Sequence, residues 1–269
     1  MPVADYLQHI HLLEDCAAQR TVVHRLHPLA QLLAVLGFLL TAASFDKYAV
    51  AALLPLVVFP MTLIVLGGLP ARALVLRALI AAPLVIGLGL FNPLFDRAPM
   101  LAVGGITLSG GWISFFSLIL RAGLMLIAAL TLVAITGIGR LSRALLQLKL
   151  PRAFVVQLLL LHRYLSVLGE ETARTLRAYA LRAPGERGLR YSAWGALLGQ
   201  LLLRTIDRAG RIYTAMLCRG FDGEIRLAEK DSFGLKDAAY LLLWLGFFAA
   251  VRAFNLPRLI GAFVLEALP

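Results

Sequence analysis

The sequence predicts an all-α, polytopic membrane protein with five to six transmembrane helices and long cytoplasmic amphipathic helices. Three observations predict it. Of the 269 residues, 60% are hydrophobic and only 15% charged, with a mean hydropathy of +0.84; a soluble domain is about half apolar and a quarter charged. The apolar residues are bunched into runs near membrane length, and a span needs about 20 of them to cross about 30 Å of hydrocarbon. The charges gather elsewhere, mostly in one arginine-rich stretch that follows the fourth run and precedes the fifth.

Residues 1–28 are polar, carry His9, His11, His24 and His27, and are expected to form a cytoplasmic amphipathic segment. Met1 to His11 lacks a basic start, an apolar core and a small-residue cleavage site, so no cleavable leader is expected. Residues 29–139 hold four transmembrane helices, at 29–45, 48–69, 78–95 and 112–138. Only Asp46-Lys47 separates the first two, which predicts a tight helical hairpin. A short basic loop with Arg72 and Arg77 is expected at 70–77, and a Gly/Pro-rich loop at 96–111. Trp112 opens the fourth run, where an indole favours the membrane interface. Arg121 lies inside that run, and a charge there must snorkel, face protein or face water; snorkelling or a helix-helix contact is preferred to an ion-pathway role. Residues 140–236 form the charged region, and 237–269 hold a C-terminal transmembrane helix at 238–253 with an apolar remainder at 256–268. The first two outward loops carry only Asp46/Lys47 and Asp96/Arg97 when the N-terminus is placed inside. The basic excess then stays cytoplasmic, which selects that orientation.

The net charge of +11 taken alone suggests nucleic acid, but such proteins carry a basic face on a soluble fold. Here the cations flank apolar runs. Cys16 and Cys218 show no C-x-x-C spacing and predict neither a disulfide framework nor a zinc site. No G-x-x-x-x-G-K-S/T sequence is present, so ATP hydrolysis is not expected of this chain. No H-E-x-x-H or other tight ligand set appears, and His24 with His27, three apart beside Pro28, reads as a pair of interfacial caps. Thus no catalytic, cofactor-binding or metal residue is assigned.

Two long helices are predicted in the charged region. The first opens at Pro151 and ends in Arg182-Ala183 before Pro184-Gly185. The second runs from about Tyr191 to Arg219 and ends at Gly220. Along it Leu202, Ile206, Ala209, Tyr213 and Met216 recur at spacings of three and four, giving one apolar stripe. Both endings read Ala, three residues, Arg and a small residue. A cation suits a helix C-terminus, and a guanidinium also suits bidentate pairing with a carboxylate on another protein.

The chain resembles the transmembrane T component of energy-coupling-factor (ECF) transporters, closest to the cobalt/nickel branch that feeds cobalamin synthesis. The resemblance rests on His24-Arg-Leu-His-Pro28, Phe91-Asn-Pro-Leu-Phe95, Gly104 to Ser109, Leu120-Arg121, Leu145 to Pro151, His162-Arg-Tyr164 and the two arginine endings. Where the family usually has Asp, Arg and Lys before the first span, this chain has His27, Leu29 and Gln31. The resemblance implies a non-catalytic subunit in a bacterial cytoplasmic membrane, with residues 140–236 as its coupling-helix region. It implies that Arg182, Ala183, Arg219 and Gly220 dock on two cytoplasmic ATP-binding subunits, which hydrolyse ATP. The stripe from Leu202 to Met216 would then face a membrane capture subunit for Co2+ or Ni2+. Two other readings stay open: a T component serving a vitamin transporter, and a membrane enzyme on lipid-linked substrates with a site near His162, Glu170 and Glu171. The two glutamates are adjacent on a helix and so point apart, which makes a poor acid/base pair.

Overall fold

The computed structural model describes residues 17, 19, 21–95, 99–103, 106–182, 190–223 and 233–254. Its helices are α1 (Pro28–Ser44), α2 (Val50–Gly67), α3 (Ala71–Gly89), α4 (Phe91–Phe95), α5 (Gly110–Gln147), α6 (Arg152–Arg182), α7 (Tyr191–Cys218) and α8 (Leu235–Phe254). Among the described residues four helices are long and apolar enough to cross a membrane: α2, Ala71–Pro93, α5 and α6. The 20 residues of α8 span about 30 Å at about 1.5 Å each. The fold is all-α, and the protein is an integral membrane protein. The described chain forms two compact units. One holds α1 to α5 up to Gly137, and α8; the other holds residues 138–147, α6 and α7.

In the first unit, α1 starts at Pro28, whose fixed φ and missing N–H suit a first helical position. The preceding His27 closes that turn: its Nδ1 accepts from the Leu29 N–H at 3.2 Å. His24 and Thr21 hydrogen-bond through Nδ1 and Oγ1 at 2.7 Å. The α1–α2 connection is the short turn expected at Asp46-Lys47. In α2 the ladder tightens to a 3-10 turn at Leu54–Val57, where Pro55 removes a donor. The core is aromatic. Phe38 of α1 stacks on Phe59 of α2 at 5.0 Å, and Trp244 and Phe248 of α8 meet Phe59 edge-on at 4.7 and 5.2 Å. Gly37 permits this closeness, since a Cβ there would lie 2.7 Å from Leu245 Cδ2. Each such ring removes a large apolar surface from its surroundings and fixes helix register.

Two sequence expectations change here. The basic loop at 70–77 is helical: α3 begins at Ala71, so Arg72 and Arg77 sit in its first two turns. Arginine, leucine and alanine are good helix formers, and the hydropathy drop marked the change in polarity rather than the helix start. The loop at 96–111 holds an antiparallel hairpin, Pro99–Val103 with Ile106–Ser109, whose register pairs Val103 with Ile106. It is the only sheet among the described residues.

The expected end of the fourth span, residue 138, falls beside a break inside α5. Gly137 interrupts α5 with φ 70° and ψ 154°, a region open essentially to glycine alone. A Cβ there would also lie 3.1 Å from the Cβ of Ala17. Just before it, Thr136 Oγ1 and Gln31 Oε1 hydrogen-bond at 2.5 Å, and Gln31 Nε2 donates to the Val23 carbonyl at 2.5 Å. All three polar partners are buried and paired, so the break sits in an ordered network.

Arg121 meets another helix. Its Nη2 donates to the carbonyls of Phe45 and Asp46 at 2.7 and 2.9 Å, at the C-terminal end of α1. Arg252 of α8 joins it, donating to Ser44 Oγ at 3.1 Å and lying over the Phe45 ring. The final carbonyls of a helix lack partners and carry partial negative charge, so a cation is favoured there, although the buried Arg121 Nε itself finds no partner among the described residues.

The second unit is built on α6, a single helix of 31 residues, packed against α7, of 28. Glu171 of α6 and Arg204 of α7 form an ion pair at 3.2 Å, and Glu170 pairs with Arg174 within α6 at 3.1 Å. Exposed pairs like these contribute roughly 0–1 kcal/mol each and act mainly on register. The expected remainder at 256–268 lies outside the described residues.

Candidate functional site

The long helices α6 and α7 end in the two arginines singled out in the sequence. Arg182 is the last residue of α6 and is exposed. Ala183 and Pro184-Gly185 lie outside the described residues. Arg219 is the C-cap of α7, also exposed, with φ −95° and ψ 9°.

The α7 ending is a Schellman motif. The Phe221 N–H donates to the Met216 carbonyl at 3.0 Å, and the Gly220 N–H to the Leu217 carbonyl at 2.9 Å. Gly220 supplies the required left-handed residue at φ 78°. Gly220 therefore has a role within the chain itself: it ends the helix directly after the Arg219 C-cap, and Arg219 is exposed there. Nothing lies within 4 Å of the place a Gly220 Cβ would take, so the space beside the arginine is open.

The apolar stripe of α7 is exposed. Leu202, Ile206 and Tyr213 are 60%, 59% and 57% accessible, Ala209 is exposed, and Met216 is half-buried. Trp194, Leu198, Leu203 and Leu217 widen the exposed apolar surface beyond the expected stripe. The sequence reading missed them because it followed one line of spacing. A face of about 100° holds adjacent lines as well. Leu201, Thr205, Arg208 and Ile212 are half-buried, on the adjacent line about 100° round the helix. Between the helices a groove of about 300 Å3 is lined by Leu168, Glu171, Arg204, Thr205, Asp207, Arg208 and Arg211.

The alternative site near Glu170 and Glu171 is not brought together as an acid/base pair, since each carboxylate meets its own arginine. Among the described residues no group of three or more His, Cys, Asp or Glu side chains is arranged to hold a metal ion. His24 and His27 are buried at the start of α1, where His27 caps the helix.

Comparison with known proteins follows the same direction. The CbiQ family model, described as cobalt transport protein, matches residues 19–229, more than three quarters of the chain. The chain is 30% identical over 134 residues to a protein described as nickel permease LarQ from Lactiplantibacillus plantarum, covering 48% of each. The match thus spans about half the length of that relative. The matched family residues include α1 to α7, with both arginine endings. By that coverage the chain belongs to the CbiQ family of cobalt transport proteins.

Proposed function

We propose that the chain is the energy-coupling (T) subunit of an ATP-driven importer of the ECF type for Co2+ or Ni2+. It hydrolyses nothing itself; two cytoplasmic ATP-binding subunits supply the energy, and a membrane capture subunit holds the ion. Arg182 and Arg219, with Ala183 and Gly220 beside them, dock on carboxylates of the ATP-binding subunits. The stripe of Leu202, Ile206, Ala209, Tyr213 and Met216 rests on the capture subunit. Closure of the ATP-binding subunits moves the helix tips, and the helices re-tilt the capture subunit to release its ion inward. The chain sits in the cytoplasmic membrane with its N-terminus inside.

The observation that carries this reading is the pairing of an exposed C-terminal guanidinium on each of two long helices with an exposed apolar stripe on one of them. At about 1.5 Å per residue these helices are roughly 45 and 40 Å long, enough to link a soluble partner to a membrane-embedded one. Membership of a cobalt transport family and similarity to a protein named for nickel support the choice of cargo.

The test replaces Arg182 and Arg219 together with Ala and isolates the chain with its co-expressed partners. The expected result is loss of the ATP-binding subunits or of ATP-coupled uptake. Retention of both at wild-type level would refute the proposal.

A further inference from the structure

Residues 97–169 contain no Asp or Glu, while 140–163 carries Arg140, Arg143, Lys149, Arg152 and Arg163. The elbow between α5 and α6 lies inside this stretch, twelve residues beyond the Gly137 break. It closes as a second Schellman motif: the Leu150 N–H donates to the Leu145 carbonyl at 3.3 Å, and the Lys149 N–H to the Leu146 carbonyl at 3.0 Å. The left-handed position of this motif, φ 61°, is held by Lys149, the only non-glycine residue with positive φ among those described. Glycine or asparagine takes that conformation more readily. A lysine kept at a strained backbone position, with its side chain exposed, points to a use for the ammonium group.

Beside it lies a pocket of about 570 Å3. Its floor is Leu146, Leu150, Val155, Val156 and Leu159; Lys149 and Arg152 stand at its polar side. Val155 is the one buried side chain of α6 among the described residues. An apolar floor beside two cations is complementary to an amphiphile with an anionic head. A free phosphate has no use for the leucines, and a neutral lipid none for the cations. Runs of cations just cytoplasmic of a span attract anionic headgroups.

We propose that this elbow is a binding site for one anionic phospholipid. Its phosphate lies between Lys149 and Arg152, and an acyl chain covers Leu146, Leu150, Val156 and Leu159. The site does not depend on the transport reading.

The test uses the purified full chain in nanodiscs holding equal amounts of phosphatidylglycerol and phosphatidylcholine, with retained lipid counted by native mass spectrometry. The wild type is expected to retain phosphatidylglycerol preferentially. Each cation near an anionic surface contributes about a fivefold preference, so Lys149→Gln with Arg152→Gln should lower the ratio about 25-fold. Lys149→Arg should hold it. Lys149→Gly relieves the backbone, so it should leave the unfolding temperature unlowered yet reduce the ratio about fivefold. Equal retention of both lipids by the wild type, or an unchanged ratio in Lys149→Gly and the double variant, would overturn the proposal. So would displacement of the lipid by inorganic phosphate alone.

Discussion

The backbone N–H of His27 donates to Oδ1 of Asp237 at 2.7 Å, across 210 residues of sequence. Oδ2 of the same carboxylate accepts from the Gly234 N–H at 2.9 Å, just before α8. Asp237 is buried and sits in the first turn of α8, so it answers an orphan donor of its own helix and one ahead of α1. The His27 ring lies edge-on to Phe233 at 5.4 Å.

Removal of that carboxylate strands two N–H groups. Asp237→Ala should lower stability by about 3–6 kcal/mol, from two hydrogen bonds to a charged group. Asp237→Asn keeps one acceptor and should lose about half as much. Unfolding of the purified chain in mixed detergent micelles measures both, and equal loss in the two variants would contradict the two-bond account.

Arg121 holds two carbonyls at the end of α1, so Arg121→Met should cost about 2–4 kcal/mol in the same assay. Arg121→Lys should recover less than half, because both bonds come from Nη2 at the outer end of the guanidinium, and a lysine Nζ ends closer to its own backbone. Full recovery by lysine would mean that charge alone matters there.

Gly220→Ala places a Cβ on a residue with φ 78°, in open space. Its cost should be local, about 1 kcal/mol, seen as faster hydrogen exchange over residues 216–221. Gly137→Ala meets both a forbidden backbone region and the Ala17 Cβ. It should cost about 1–3 kcal/mol of global stability. A larger loss in Gly220→Ala than in Gly137→Ala would reverse this ranking.

On the proposed function, Ile206→Glu and Tyr213→Glu should impair ion uptake while the ATP-binding subunits still co-purify. Both side chains are exposed in the chain alone, so its own unfolding should shift by less than about 0.5 kcal/mol. Loss of the ATP-binding subunits in these variants would assign the stripe to the wrong partner.

The helices of the membrane part were legible because apolar runs have a length that the bilayer dictates. Their starts were less legible. Arg72 and Arg77 lowered hydropathy where the backbone was already helical. The hairpin escaped because Pro99 and the glycines at 104 and 105 masked the short alternation of Ile106–Ser109. At α7 the composition gave both the exposed stripe and the arginine ending, since spacing and a terminal glycine are local signals. What no local signal carried was pairing at a distance. Nothing near Arg121 names the end of α1, and nothing near His27 names Asp237. Gln31 also reads as an ordinary polar residue until Thr136 is beside it.

Gly37 lets Leu245 settle against α1, and Phe38 finds its ring partners on α2 and α8. Synthesis runs in the other order. When α1 leaves the ribosome, about two hundred residues remain to be made before its groove is filled. Until then the vacant notch at Gly37 and one face of Phe38 must be covered by lipid or by the insertion machinery. A nascent chain stalled before α8 therefore still carries that open notch, a local mark of incompleteness.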